Sequence, residues 1–191
     1  LPGHGESKGS SSNSIEYYGQ FLINAIEAYD LKDLSLCGHS MGGLIALDMV
    51  LNHNFTAKEL ILVNSIYPTR VADALLAVPK LGNGVAANFI IKYCLYRRLL
   101  GLRNAFSEAD DLVMLDDLDA CNNYELDLND IKNAEIPISI ILGSKDRLVD
   151  LKAVENFTDI VPSQTYTMDE VGHFSFFEDP VELSRLISKI V

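Results

Sequence analysis

"LSLCGHSMGGLIALDMV", Leu34 to Val50, joins two kinds of local structure at one serine. Leu34 to Cys37 is short and apolar, as a buried strand would be, whereas Leu44, Leu47, Asp48 and Leu51 are spaced like a helix. Between them stand Gly38, Gly42 and Gly43, grouped around Ser40. Glycine costs a helix about 1 kcal/mol relative to alanine, so its use at the head of a good helix needs a reason. The pattern G-x-S-x-G supplies one, since it marks a strand-to-helix turn tight enough to hold a serine in a strained backbone conformation. Side chains at Gly38 and Gly42 are expected to collide across that turn or with neighbouring elements. The Ser40 oxygen would then stand exposed at the start of a helix. There the helix dipole and the Met41 N–H favour negative charge on a nearby oxygen.

A serine hydroxyl hardly ionises near neutral pH, so a nucleophilic Ser40 needs a base and a group to orient that base. Four histidines are available. His39 adjoins the serine but is held in the turn, His53 sits among polar residues near a helix end, and His4 lies in a glycine loop. His173, in "EVGHFSFFEDP", follows the last predicted strand, where a loop can overhang the C-terminal edge of a sheet. Position favours it as the base. "GSKDRLVD" follows the third predicted strand and places Asp146 at the same edge, while its nearest rival, Asp150, reads as a helix cap. The order Ser40, Asp146, His173 is one of the chain orders such a triad takes.

Outward from this stretch, strands and helices alternate. Ser14 is placed to cap a helix reaching about Tyr29, with Ile15, Tyr18, Leu22, Ile26 and Tyr29 on its apolar side. Strands are expected at Asp33–Cys37, Glu59–Ser65, Ile136–Ser144 and Gln164–Met168, and the second is apolar enough to be buried on both faces. Asp179, Pro180 and Glu182 mark the start of a last helix, with Val181, Leu183, Leu186, Ile187 and Ile190 as its buried stripe. Such alternation implies an α/β protein with a mainly parallel sheet and flanking helices. Tyr67 to Asn133 interrupts it with helical patterns alone, including "AANFIIKYCLYRRLL" and "SEADDLVMLDDLDA". In this insertion Phe89, Ile90, Tyr93 and Leu100 read as core. Glu108, Asp110, Asp111, Asp116, Asp117 and Asp119 read as a solvated face, not a metal site.

Composition narrows the function. The 191 residues carry a net charge of −12 and are 48% hydrophobic, which suits one domain with an insertion. The charge argues against nucleic acid and anionic membrane surfaces, and suits a soluble protein acting on small neutral molecules. Cys37, Cys94 and Cys121 lie far apart without metal-ligand spacing, as in a reducing, cytoplasmic setting. No run of 18 apolar residues predicts an integral membrane segment. The opening "LPGHGES" lacks a methionine and reads as the middle of a turn, so the chain is expected to be a fragment of a longer protein.

Four motifs in this order resemble the α/β-hydrolase family. "PGHGES" is similar to its D-x-P-G-H-G-x-S loop and "GHSMGG" to its nucleophile elbow. "GSKDRLV" is similar to its acid loop G-x-x-D-x-x-V, and "VGHFSFFEDP" to its histidine loop G-H-x-x-x-x-E-x-P. The resemblance implies a partial α/β-hydrolase fold with core parts at 1–66 and 134–191 and a helical cap at 67–133 that chooses the substrate. It implies Ser40 as nucleophile, His173 as base, Asp146 as orienting acid and the Met41 N–H as one oxyanion donor, with Gly38, His39 and Gly42 supporting the elbow. No metal or cofactor is implied. The expected activity is that of a serine esterase on small neutral esters, of the carboxylesterase or monoglyceride-lipase kind. Thioester, lactone and carbon–carbon hydrolysis, or a fragment that only binds, remain open. Family members carry further strands before the P-G-H-G loop, together with a loop bearing a second oxyanion donor. Here these would precede Leu1, and the strand holding Cys37 would have an open edge suited to self-association.

Overall fold

The computed structural model describes residues 1–53, 55–82, 85–97 and 110–191. Its sheet has four parallel strands in sequence order: β1 (Leu36–His39), β2 (Leu60–Val63), β3 (Ile138–Gly143) and β4 (Gln164–Met168). In register, Gly38 pairs with Leu62, Leu62 with Ile140, and Ile140 with Thr165. The first strand begins later than the sequence suggests, because Asp33 has φ +56° and turns the chain before Leu36. All of β2 and β3 is buried. Side-chain alternation sends Leu60, Leu62, Ile138, Ile140 and Leu142 into one core, and Ile61, Val63 and Ile141 into another on the opposite face.

The larger core is covered by α1 (Ile15–Ala28), α2 (Met41–Leu51) and α7 (Leu151–Ile160). Ser14 caps α1 by accepting the Tyr17 N–H at 3.1 Å. Ile15 and Tyr18 are fully buried, whereas Tyr29, expected on the same stripe, is 78% exposed one residue past the helix. The smaller core lies under α9 (Pro180–Ile190), which follows the short α8 (Ser175–Glu178). Asp179 caps α9 by accepting the Glu182 N–H at 3.0 Å. Leu183 and Leu186 are buried, but Val181 points away from the core and is 79% exposed.

Between β2 and β3 the described residues form only helices: α3 (Asp73–Ala77), a 3-10 turn (Pro79–Leu81), α4 (Val85–Cys94), α5 (Asp111–Asn123) and α6 (Leu128–Asn133). Tyr93 is exposed and Phe89 and Ile90 are only half-buried, so the tight packing of α4 falls on Ala86 and Cys94 instead. Leu100 and Glu108 lie outside the described residues. Asp116 and Asp117 do not belong to a free solvated face. The front loop docks on them, with Ser11 Oγ donating to Asp116, and both His4 Nε2 (2.8 Å) and the Tyr18 hydroxyl (3.2 Å) bonded to Asp117. Among the described residues no helix is long and apolar enough to cross a membrane.

Candidate active site

Three strand ends deliver the predicted residues to one place. Ser40 follows β1, Asp146 follows β3 by three residues, and His173 lies in the loop after β4. The Ser40 hydroxyl meets His173 Nε2 at 3.0 Å, and His173 Nδ1 meets Asp146 Oδ2 at 2.8 Å. The Asp146 contact fixes the proton on Nδ1, which leaves Nε2 free to accept from the serine. The His173 and Asp146 side chains are 5% and 3% exposed. Asp150 is not part of this chain of bonds, because its carboxylate caps α7 by accepting the Lys152 N–H at 2.9 Å.

The elbow explains the local sequence. Ser40 sits at φ +52°, ψ −120°, a conformation that L residues rarely adopt, and its N–H is tied to the Val63 carbonyl at 3.0 Å. A Cβ at Gly38 would overlap the Gly42 carbonyl group. The expected clash of a side chain at Gly42 does not occur, since nothing described lies within 4 Å of a Cβ there. The second crowded position is Gly43, where a Cβ would overlap the Ser65 hydroxyl. That hydroxyl donates to the Ser40 carbonyl at 2.7 Å and braces the turn from behind. Met41 opens α2, so its N–H has no intrahelical acceptor and remains available beside Ser40.

Several neighbours hold the histidine and the acid. His39 donates from Nε2 to the His173 carbonyl at 2.7 Å. Burial, and then the adjacent His173 ring, lower the His39 pKa to about 4, so it stays neutral near neutral pH. Burial alone would raise the Asp146 pKa. It is nevertheless held below the usual carboxylate value by the hydrogen bond and charge of His173, the Leu148 N–H and the Asn64 amide. Asn64 is a residue that the sequence reading missed. It stands just past β2 at φ +46°, is buried, and donates from Nδ2 to Asp146 Oδ2 at 2.8 Å, the same oxygen that His173 binds. The signal was available, since "LVNS" turns polar where the buried strand ends.

Glu178, also unassigned from the sequence, fastens the histidine loop to the segment after α4. Its buried carboxylate accepts the Gly172 N–H at 3.0 Å, the Tyr96 N–H at 2.9 Å and the Arg97 N–H at 2.8 Å. The His173 N–H donates to the Cys94 carbonyl at 2.8 Å. The other histidines lie away from Ser40: His4 is bonded to Asp117, and His53 to the buried Asp48 at 3.0 Å. Ser40, Met41 and His173 line a cavity of about 350 Å³ whose described walls include Ile66, Leu75 and Leu118. Among the described residues no group of three or more His, Cys, Asp or Glu side chains is arranged to hold a metal ion.

The sheet with its elbow, acid loop and histidine loop is an α/β-hydrolase fold. The chain matches the alpha/beta hydrolase family over residues 1–186 and belongs to it. It is 24% identical over 223 residues to the pimeloyl-[acyl-carrier protein] methyl ester esterase of Aromatoleum aromaticum, covering 100% of this chain and 85% of that protein. An esterase from Exiguobacterium antarcticum superposes with a TM-score of 0.86 at 20% identity, over 98% of this chain and 78% of that one. The enol-lactonase of Burkholderia xenovorans LB400 superposes at 0.82 with 15% identity, over 98% and 77%.

Proposed function

We propose that this protein hydrolyses carboxylic esters through an acyl-enzyme formed on Ser40, in the manner of a small carboxylesterase. The observation that carries the reading is the unbroken line of hydrogen bonds from Ser40 through His173 to Asp146, with Ser40 and His173 lining a largely apolar cavity. Ser40 Oγ attacks the ester carbonyl as its proton passes to His173 Nε2. His173 then gives that proton to the departing alcohol and activates the water that releases the acid. Asp146 orients the ring and stabilises its charged form, and the Met41 N–H faces the developing oxyanion. The helices of 67–133 act as a cap, since Leu75, Leu118 and Cys121 from this stretch line the cavity. The alpha/beta hydrolase membership and the esterase among the structural neighbours support the same chemistry.

The test is labelling by a fluorophosphonate together with turnover of p-nitrophenyl esters. Stoichiometric labelling at Ser40 and steady ester turnover are expected. A chain that neither labels nor turns over any ester would be a binding module on a hydrolase scaffold.

A further inference from the structure

Whole-chain charge and local charge part company at the cavity. The chain carries −12, yet the described residues lining the cavity include Arg70, Arg147 and Lys152 against Asp150 as the one carboxylate. Asp150 already accepts the Lys152 N–H as the cap of α7. None of the three cations has a carboxylate within 4 Å among the described residues. They come from two segments: Arg70 from the link after β2, and Arg147 and Lys152 from the loop and helix after β3. The lining near them mixes apolar Val71, Val149 and Ala153 with polar Thr69 and Asn156.

Two physical arguments give this local set more weight than the acidic surface. Exposed charges are screened over about 8 Å at physiological ionic strength, so remote carboxylates act weakly inside the cavity. Arg70, Arg147 and Lys152 are themselves exposed, so their pull is also salt-dependent. They nevertheless lie within the cavity lining and outnumber its carboxylate, and a cleft in which one sign predominates concentrates ligands of the other. Guanidinium groups in addition match a carboxylate with two parallel hydrogen bonds.

Resting on the esterase reading above, we infer that the substrate is an ester whose acyl part ends in a carboxylate, a half-ester of a dicarboxylic acid. Its ester carbonyl lies at Ser40 and its free carboxylate among Arg70, Arg147 and Lys152. Attack forms the Ser40 Oγ–acyl bond and breaks the ester C–O bond, and the alcohol leaves with the proton from His173. Water then cleaves the acyl-enzyme to a dicarboxylate, with no other reactant.

The comparison is monomethyl glutarate against methyl pentanoate, which have the same acyl length with and without the charge, followed by acid release at low and high salt. The expected kcat/KM ratio favours the half-ester by about tenfold at low salt and shrinks toward one at 1 M salt, where the screening length is about 3 Å. R70Q, R147Q and K152Q should each reduce that ratio, whereas R185Q on α9 should leave it alone. A preference for methyl pentanoate, or a preference for the half-ester indifferent to salt and to the three substitutions, overturns the inference. Binding is read separately, as thermal protection of the Ser40→Ala variant by intact monomethyl glutarate. Protection without wild-type turnover would sink the esterase reading while supporting the charge preference; absence of protection would sink the charge preference.

Discussion

The strand-end loops and the helices between β2 and β3 are built by different means. Ser40, Asp146 and His173 hang from strands whose neighbours β2 and β3 are buried throughout, so hydrogen-bond register fixes where each loop leaves the sheet. The intervening helices meet the sheet domain by packing Ala120, Cys121, Tyr124 and Ile131 into the larger core and by a few specific polar contacts. Examples are the Cys94 carbonyl on the His173 N–H, Glu178 on Tyr96 and Arg97, His4 on Asp117, and Tyr124 on Asp48. A rigid sheet suits chemistry that tolerates little misplacement. Helices attached at separate points suit a wall whose composition sets what enters. Loss of chemistry should therefore follow substitutions at the strand ends, and loss of selectivity should follow those around the cavity.

The largest expected effect tests the strand-end side. Ser40→Ala should lower ester turnover by about a million-fold, as removing the nucleophile of such a triad does, and abolish fluorophosphonate labelling. Labelling of that variant at the wild-type rate would place the nucleophile elsewhere. Asp146→Asn should cost about ten-thousand-fold, because the histidine then takes the wrong tautomer. Asp150→Asn should cost far less, since Asp150 caps α7 and does not touch His173. The reverse ranking would assign the acid to Asp150. Asp146 also links activity to stability. Its folded pKa lies below its ordinary value of 3.8, so its ionised form stabilises the fold above that pH, and the contribution fades as pH falls through the folded value. The Tm deficit of Asp146→Asn should therefore be full at neutral pH and narrow as solutions are made more acidic than about pH 4.

Glu178 tests the junction between the two regions. Glu178→Ala strands three backbone N–H groups, of which the Gly172 donor is buried while Tyr96 and Arg97 are exposed residues. An unpaired buried donor costs about 1–3 kcal/mol, so denaturant titration should show a loss of about that size, with a lower kcat because the histidine loop is released. Glu178→Gln keeps one acceptor oxygen and should recover part of both. Wild-type kcat in Glu178→Ala would mean that the junction does not position His173.

What was legible in the sequence follows the same division. β4 was placed to the residue, and β2 and β3 to within two residues at each end, because apolar runs bounded by polar turns carry their own limits. The Ser14 and Asp179 caps were legible because capping is local chemistry. Ser40 is marked by its G-x-S-x-G setting, Asp146 and His173 by their positions just past strands, and the family resemblance points to the same three, which the structure brings together. Asn64 and Ser65 escape the sequence because their partners lie far away along the chain, as with Asn64 and Asp146. Glu178, though part of the histidine-loop motif, carries no role there because Tyr96 and Arg97 are distant. The same holds for Asp116 and Asp117, whose partners His4, Ser11 and Tyr18 are supplied only by the fold. Total charge likewise hid the cations at the cavity, since a sum over the chain contains no positions.

The smallest expected effect separates two adjacent glycines, Gly42 inside the G-x-S-x-G pattern and Gly43 just past it. Gly42 and Gly43 both stand in the first turn of α2, and neither has a positive φ. A Cβ at Gly43 would overlap the Ser65 hydroxyl, which is itself committed to the Ser40 carbonyl, so Gly43→Ala must displace the brace behind the elbow. At Gly42 a Cβ meets nothing described within 4 Å. Alanine there keeps a helical backbone and removes freedom from the unfolded chain, which stabilises by about 0.4–1 kcal/mol at compatible sites. Gly42→Ala should thus raise Tm slightly and leave fluorophosphonate labelling within about twofold, since it alters neither the elbow's backbone nor the His173 contact. Gly43→Ala should lower both. Equal damage from the two would mean that the turn needs glycine at Gly42 for a reason other than space, such as the approach of the substrate to Ser40.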